Sequence, residues 1–136
     1  MSFRFAMAAG IIAATAFIMH MSPAFAEANA CAALKGLDTD QDGSIDLAEA
    51  QKAAGLVFDK IERDKDKTVD AKEAKGRLSK KELLAGDPDN DGTLTKDEYL
   101  AIVAKRFAVA DPDGDGKLNC KELGSAAGAA LLKLLK

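Results

Sequence analysis

Apolar residues along this chain follow a pattern that repeats four times around stretches of alternating acidic residues. Four positions before each stretch stands a large apolar residue, Leu34, Phe58, Leu83 and Phe107, and at the eighth position within it another, Ile45, Val69, Leu94 and Leu118. The first set has the spacing of a helix face running into a loop, which predicts four core positions. The second set, a single apolar residue in a polar segment, predicts a short strand-like contact between paired loops. Only 12, 13 and 12 residues separate the stretches, Ala50–Ile61, Ala74–Gly86 and Tyr99–Ala110. A helix of that length is ~18 Å long, so one helix has to leave one loop and enter the next. The predicted fold class is all-α, a compact array of four loops joined by short shared helices, five helices in total.

The four stretches align as one unit: "DTDQDGSIDLAE" from Asp38, "ERDKDKTVDAKE" from Glu62, "DPDNDGTLTKDE" from Asp87 and "DPDGDGKLNCKE" from Asp111, with starts 24, 25 and 24 residues apart. Each is similar to the twelve-residue EF-hand calcium loop, with oxygen ligands at positions 1, 3, 5 and 9, a backbone carbonyl at 7 and a bidentate glutamate at 12. A hard cation takes six to eight oxygens, and alternate side chains of a tight loop converge on it from one side while the glutamate closes the other. The candidate ligands of loop 1 (residues 38–49) are Asp38, Asp40, Asp42, Ser44, Asp46 and Glu49. Those of loop 2 (62–73) are Glu62, Asp64, Asp66, Thr68, Asp70 and Glu73. Loop 3 (87–98) offers Asp87, Asp89, Asp91, Thr93, Thr95 and Glu98, and loop 4 (111–122) offers Asp111, Asp113, Asp115, Lys117, Asn119 and Glu122. Position 6 requires a left-handed backbone, which Gly43, Gly92 and Gly116 supply and Lys67 does not adopt freely. Loop 2 is therefore expected to be the weakest, either a weak binder or a structural remnant. The implied cofactors are Ca2+ and/or trivalent lanthanide ions, at three strong sites and one weak or absent.

Segments such as "VDAKEAKGRLS", "DPDNDGTLTKDEYL" and "KELGSAAGAALLKLLK", with Pro88 and Pro112 second in loops 3 and 4, make the chain resemble the lanmodulins. These are small periplasmic proteins with four EF-hands, fused short helices and proline at loop position 2. The resemblance runs from about Leu34 to Lys136 and implies tight binding of trivalent lanthanides by loops that also suit calcium. Loops 1 and 2 depart from it with Thr39 and Arg63 at position 2, and loops 3 and 4 with Thr95 and Asn119 at position 9, where the family favours aspartate. The resemblance also implies that hands 1 and 4 pack together. With that, Cys31 and Cys120 are disulfide candidates, the bridge joining the entry helix of hand 1 to position 10 of loop 4; two unpaired thiols are the alternative.

Composition narrows the rest. A chain of 136 residues makes one domain. Arg4, the apolar run Phe5–Met19 and the Ala24-Phe25-Ala26 pattern read as a secretory signal over residues 1–26, leaving 27–136 as the metal-binding domain; an uncleaved anchor is the other reading. The expected location is the periplasm or the outside of the cell, with no membrane attachment after cleavage. Removing the signal takes away Arg4 and no acidic residue, so the net charge moves from −3 to −4, which offers no basic stripe for nucleic acid. The single histidine, His20, lies in the signal, so histidine-based catalysis is excluded from the mature chain, and an enzyme is not expected. Phe58, Tyr99 and Phe107 are the only aromatics after residue 26, which predicts a thin core. The C-terminal "SAAGAALLKLLK" reads as the exit helix of hand 4, with a membrane-surface helix as the alternative. The expected function is a periplasmic EF-hand metal-ion-binding protein, monomeric, that orders on binding and serves as buffer, carrier or sensor, with room for a periplasmic protein partner. The alternative is a metal-stabilised protein-interaction module with structural calcium ions.

Overall fold

The computed structural model describes residues 23–136. Most of the predicted signal therefore lies outside the described residues, as does His20. The first described helix, α1 (Pro23–Leu37), runs through the predicted cleavage point. After it come β1 (Ile45–Asp46), α2 (Leu47–Ile61), β2 (Thr68–Asp70), α3 (Lys80–Gly86), β3 (Thr93–Thr95), α4 (Lys96–Ala110), β4 (Lys117–Leu118), α5 (Cys120–Leu123) and α6 (Ala126–Leu135). No described helix is long and apolar enough to cross a membrane.

The fold is an all-α array of four EF-hand loops. Helices α2 and α4 each leave one loop and enter the next, as their lengths require. Each starts from a capping box, in which the loop's ninth residue, Asp46 or Thr95, accepts from the amide three residues on, and Glu49 or Glu98 accepts from the cap's own amide.

Two connections differ from the single helices predicted. Between loops 2 and 3 the chain turns through residues 71–77 before α3 begins. Gly76 sits at φ +84 there, a conformation that ends helical propagation, and Ser79 with Glu82 opens a new capping box for α3. The exit segment of hand 4 is likewise split. Gly124 caps α5, and the Ser125 hydroxyl donates to Glu122 O at 2.6 Å while accepting from Gly128 N at 3.0 Å, starting α6 afresh. A side chain at position 124 would press on α1, since a Cβ there would stand 3.1 Å from Glu27 Cα. There are thus six described helices where five were expected.

Two antiparallel ladders tie the loops in pairs: Ile45 faces Leu118 across β1–β4, and Val69 faces Leu94 across β2–β3. All four of these eighth-position residues are fully buried, and the four residues that precede the loops, Leu34, Phe58, Leu83 and Phe107, join them in one core. Tyr99 completes it from α4. Its ring meets Phe58 edge-on with centroids 5.6 Å apart, and its buried hydroxyl donates to Leu134 O of α6 at 3.1 Å. Burial pushes that phenol up to about 12. A disulfide joins Cys31 of α1 to Cys120 of α5, with Cα atoms 4.8 Å apart.

Candidate metal centres

Loops 1, 3 and 4 each fold around their first carboxylate. Asp38, Asp87 and Asp111 accept from the amides of Gly43, Gly92 and Gly116 at 3.0, 2.8 and 2.9 Å, which the glycines' left-handed backbone, φ +87, +86 and +80, aims inward. A second left-handed residue precedes each of these at position 4: Gln41, Asn90 and Gly114, with Lys65 in loop 2. Sequence reasoning passed over position 4, although amides and glycine there are the residues that tolerate such a backbone.

The fifth-position carboxylates are held by position 7. Asp42, Asp66 and Asp91 each accept from both the amide and the hydroxyl of Ser44, Thr68 and Thr93, at 2.6–2.9 Å. Asp115 accepts only the amide of Lys117, at 2.8 Å. Side chains named for their backbone carbonyls thus have a second task, fixing the neighbouring ligand.

Three oxygen ligands converge in every loop. In loops 1, 3 and 4 they come from positions 1, 3 and 12: Asp38, Asp40 and Glu49; Asp87, Asp89 and Glu98; Asp111, Asp113 and Glu122. Within each trio the ligand atoms lie within 4.8 Å of one another. Loop 2 differs, gathering Glu62, Asp64 and Asp66 from positions 1, 3 and 5, while Glu73 accepts from Arg63 N at 2.8 Å. The position 9 residues Asp46, Asp70, Thr95 and Asn119 each accept from backbone amides at the start of the following segment, and the carboxylates of Asp46 and Asp70 stand outside the trios.

The crowding leaves an electrostatic mark. The third-position carboxyls Asp40, Asp64 and Asp89 all lie above their ordinary range. For Asp89 the neighbouring Asp87 is the leading cause. For Asp40 and Asp64 a backbone hydrogen bond from Asp42 or Asp66 pulls downward and is outweighed by desolvation and by nearby carboxylates. Glu49 sits below its usual value: burial opposes ionisation, but donors from Thr39, Asp46 and Asp40 overcome it. Asp42 is lowered to about 2, first by Lys117 and then by Ser44.

The donor set fits a hard cation. Every converging atom is a carboxylate oxygen, the set calcium and similar ions prefer. In loop 2, Glu62 Oε1 is buried without a hydrogen-bond partner among the described residues, an orphaned acceptor of the sort a cation satisfies. Loop 2 therefore retains a ligand set despite Lys67, which takes the left-handed conformation at φ +69.

No curated protein matches the chain. A protein-family model described as an EF-hand domain pair matches residues 8–49, a span shorter than half the chain that takes in the whole of loop 1, so the chain is similar over that span to the family its loop geometry indicates.

Proposed function

We propose that the chain is an exported EF-hand metal-ion-binding protein. In this reading residues 1–26 are its signal, residues 27–136 bind calcium or trivalent lanthanide ions, and order rises on binding as in a buffer, carrier or sensor. The observation that carries this is the convergence of three carboxylate oxygens within 4.8 Å in each of four loops. Export is supported by the Cys31–Cys120 disulfide, a bond that persists in oxidising compartments.

Asp38, Asp40 and Glu49 would hold the ion in loop 1, and the corresponding trios would do so in the others. A bound cation supplies positive charge that cancels their repulsion. The glutamate at position 12 belongs to the first turn of the following helix in loops 1, 3 and 4, so drawing it toward the first and third carboxylates fixes that helix against its loop. Four carboxylates leave about −2 around a divalent ion and −1 around a trivalent one, and attraction scales with the product of charges. We therefore expect lanthanum to bind at least about a hundredfold more tightly than calcium, a gap of roughly 2.7 kcal/mol.

Titrating the purified protein with calcium and with lanthanum, while following circular dichroism and heat, tests the proposal. Helicity should rise with either ion and fall again on adding EDTA. Absence of heat and of any spectral change with both ions would overturn it; equal affinities would remove the lanthanide preference.

A further inference from the structure

Lys117 occupies position 7 of loop 4, yet its side chain leaves that loop. The β1–β4 ladder sets it opposite Asp46, and its ammonium pairs with Asp42, the fifth-position carboxylate of loop 1. Asp40 and Asp46 add their attraction, and Lys117 is raised above its ordinary value, with Asp42 the leading cause. In the other loop pair the same place, opposite Asp70, belongs to Thr93, whose hydroxyl turns back to Asp91 of its own loop. Among the described residues no other loop carboxylate pairs with a lysine or arginine.

We propose that Lys117 is the specificity-determining residue of loop 1, a tethered cation from loop 4 that holds Asp42 until a metal ion takes its place. The inference rests on the metal-binding reading of loop 1. In the metal-free protein the ammonium neutralises part of the charge that would draw an ion in. An incoming ion has to displace it, and the ammonium, still carried by the paired strand, then repels the ion from close range. An exposed ion pair of this kind, with side chains 50% and 32% exposed, is worth up to about a fivefold factor in an equilibrium. Repulsion grows with the charge of the ion, so a trivalent ion is penalised about one and a half times as strongly as a divalent one in free energy. Loop 1, with five carboxylates, is in this way held back from the full preference for trivalent ions that its charge alone would give.

The test is an NMR titration of the whole protein with calcium chloride and with lanthanum chloride, following the amides of Gly43 and Gly92. Each donates to the first carboxylate of its own loop, at 3.0 and 2.8 Å, so the two report loops 1 and 3 separately. In Lys117→Met the Gly43 transition should tighten, by up to about fivefold for calcium and up to about tenfold for lanthanum, while the Gly92 transition stays in place. Lys117→Arg, which keeps the charge, should match the unaltered protein, and Lys117→Gln serves if the methionine variant fails to fold. A Gly43 transition that is unchanged in both neutral variants, while both glycines still respond to metal, would overturn the role of Lys117 alone. Glycine signals that respond to neither ion in the unaltered protein would overturn the metal-binding reading and this inference with it.

Discussion

Lys67 holds, at φ +69, the backbone conformation that glycine holds in the other three loops. A side chain makes that conformation costly by roughly 1–2 kcal/mol, part of which the extra freedom of glycine in the unfolded chain would return. Lys67→Gly is therefore expected to raise the unfolding free energy by about 0.5–1 kcal/mol, measured by urea denaturation, and to tighten loop 2 in a calorimetric titration. An unchanged denaturation midpoint would show that the lysine pays nothing there. Asp46 presents a different choice. It is a candidate ligand by its loop position, and its carboxylate also accepts from Glu49 N at 2.8 Å and caps α2. Asp46→Asn keeps that acceptor and should leave metal-free stability nearly unchanged, whereas Asp46→Ala should cost about 1 kcal/mol. Equal losses in the two variants would argue that the charge matters and the cap does not. The alternating carboxylates were legible at this scale because ligand spacing is local. The second use of position 9 was not, because one oxygen can serve a cap or a cation, and which it serves depends on where the helix begins.

The elements carry the same lesson. Helices α2 and α4 could be read from the length between loops, but α3 and α6 begin at serines whose capping role emerges only after Gly76 and Gly124 have stopped the preceding turns. Element α3 is also fastened from outside. Arg106 of α4 donates to Glu82 at 2.5 Å and to Ala130 O of α6 at 2.5 Å, so one guanidinium links three helices. Glu82 is lowered from 4.5 to about 2, by the Ser79 hydroxyl first, then by the Ser79 amide and by Arg106. A carboxyl lowered on folding contributes stability that is complete above its unfolded value and fades as pH falls through its folded one. With EDTA present throughout, the unaltered protein should lose part of its stability between pH 4.5 and about 2 through this group. Glu82→Gln should lose less over that window, compared by thermal midpoints at each pH. Parallel profiles for the two proteins would mean that the contacts of Glu82 do not survive in solution.

At the scale of the molecule, the disulfide and the two ladders decide how the hands are arranged. Cys31 and Cys120 are 89 residues apart in sequence, and closing so long a loop restricts the unfolded chain strongly. Replacing both cysteines with serine should lower the unfolding free energy by about 2–5 kcal/mol in a denaturant titration; a loss below 1 kcal/mol would show that the unfolded chain is already compact. The bond also pins α1 to α5, which keeps loop 1 beside loop 4, where β4 carries Lys117 to Asp42. By itself the sequence determined the four loops, their helix-facing apolar residues, the missing glycine of loop 2 and the buried eighth positions, since each depends on neighbours within a dozen residues. Only the tertiary structure decided the break in the middle connection, the trio of Glu62, Asp64 and Asp66 in loop 2 and the reach of Lys117 across the ladder. Those depend on where helices end and on which strands meet, and contacts between residues as far apart as Asp42 and Lys117 leave no periodic mark along the chain.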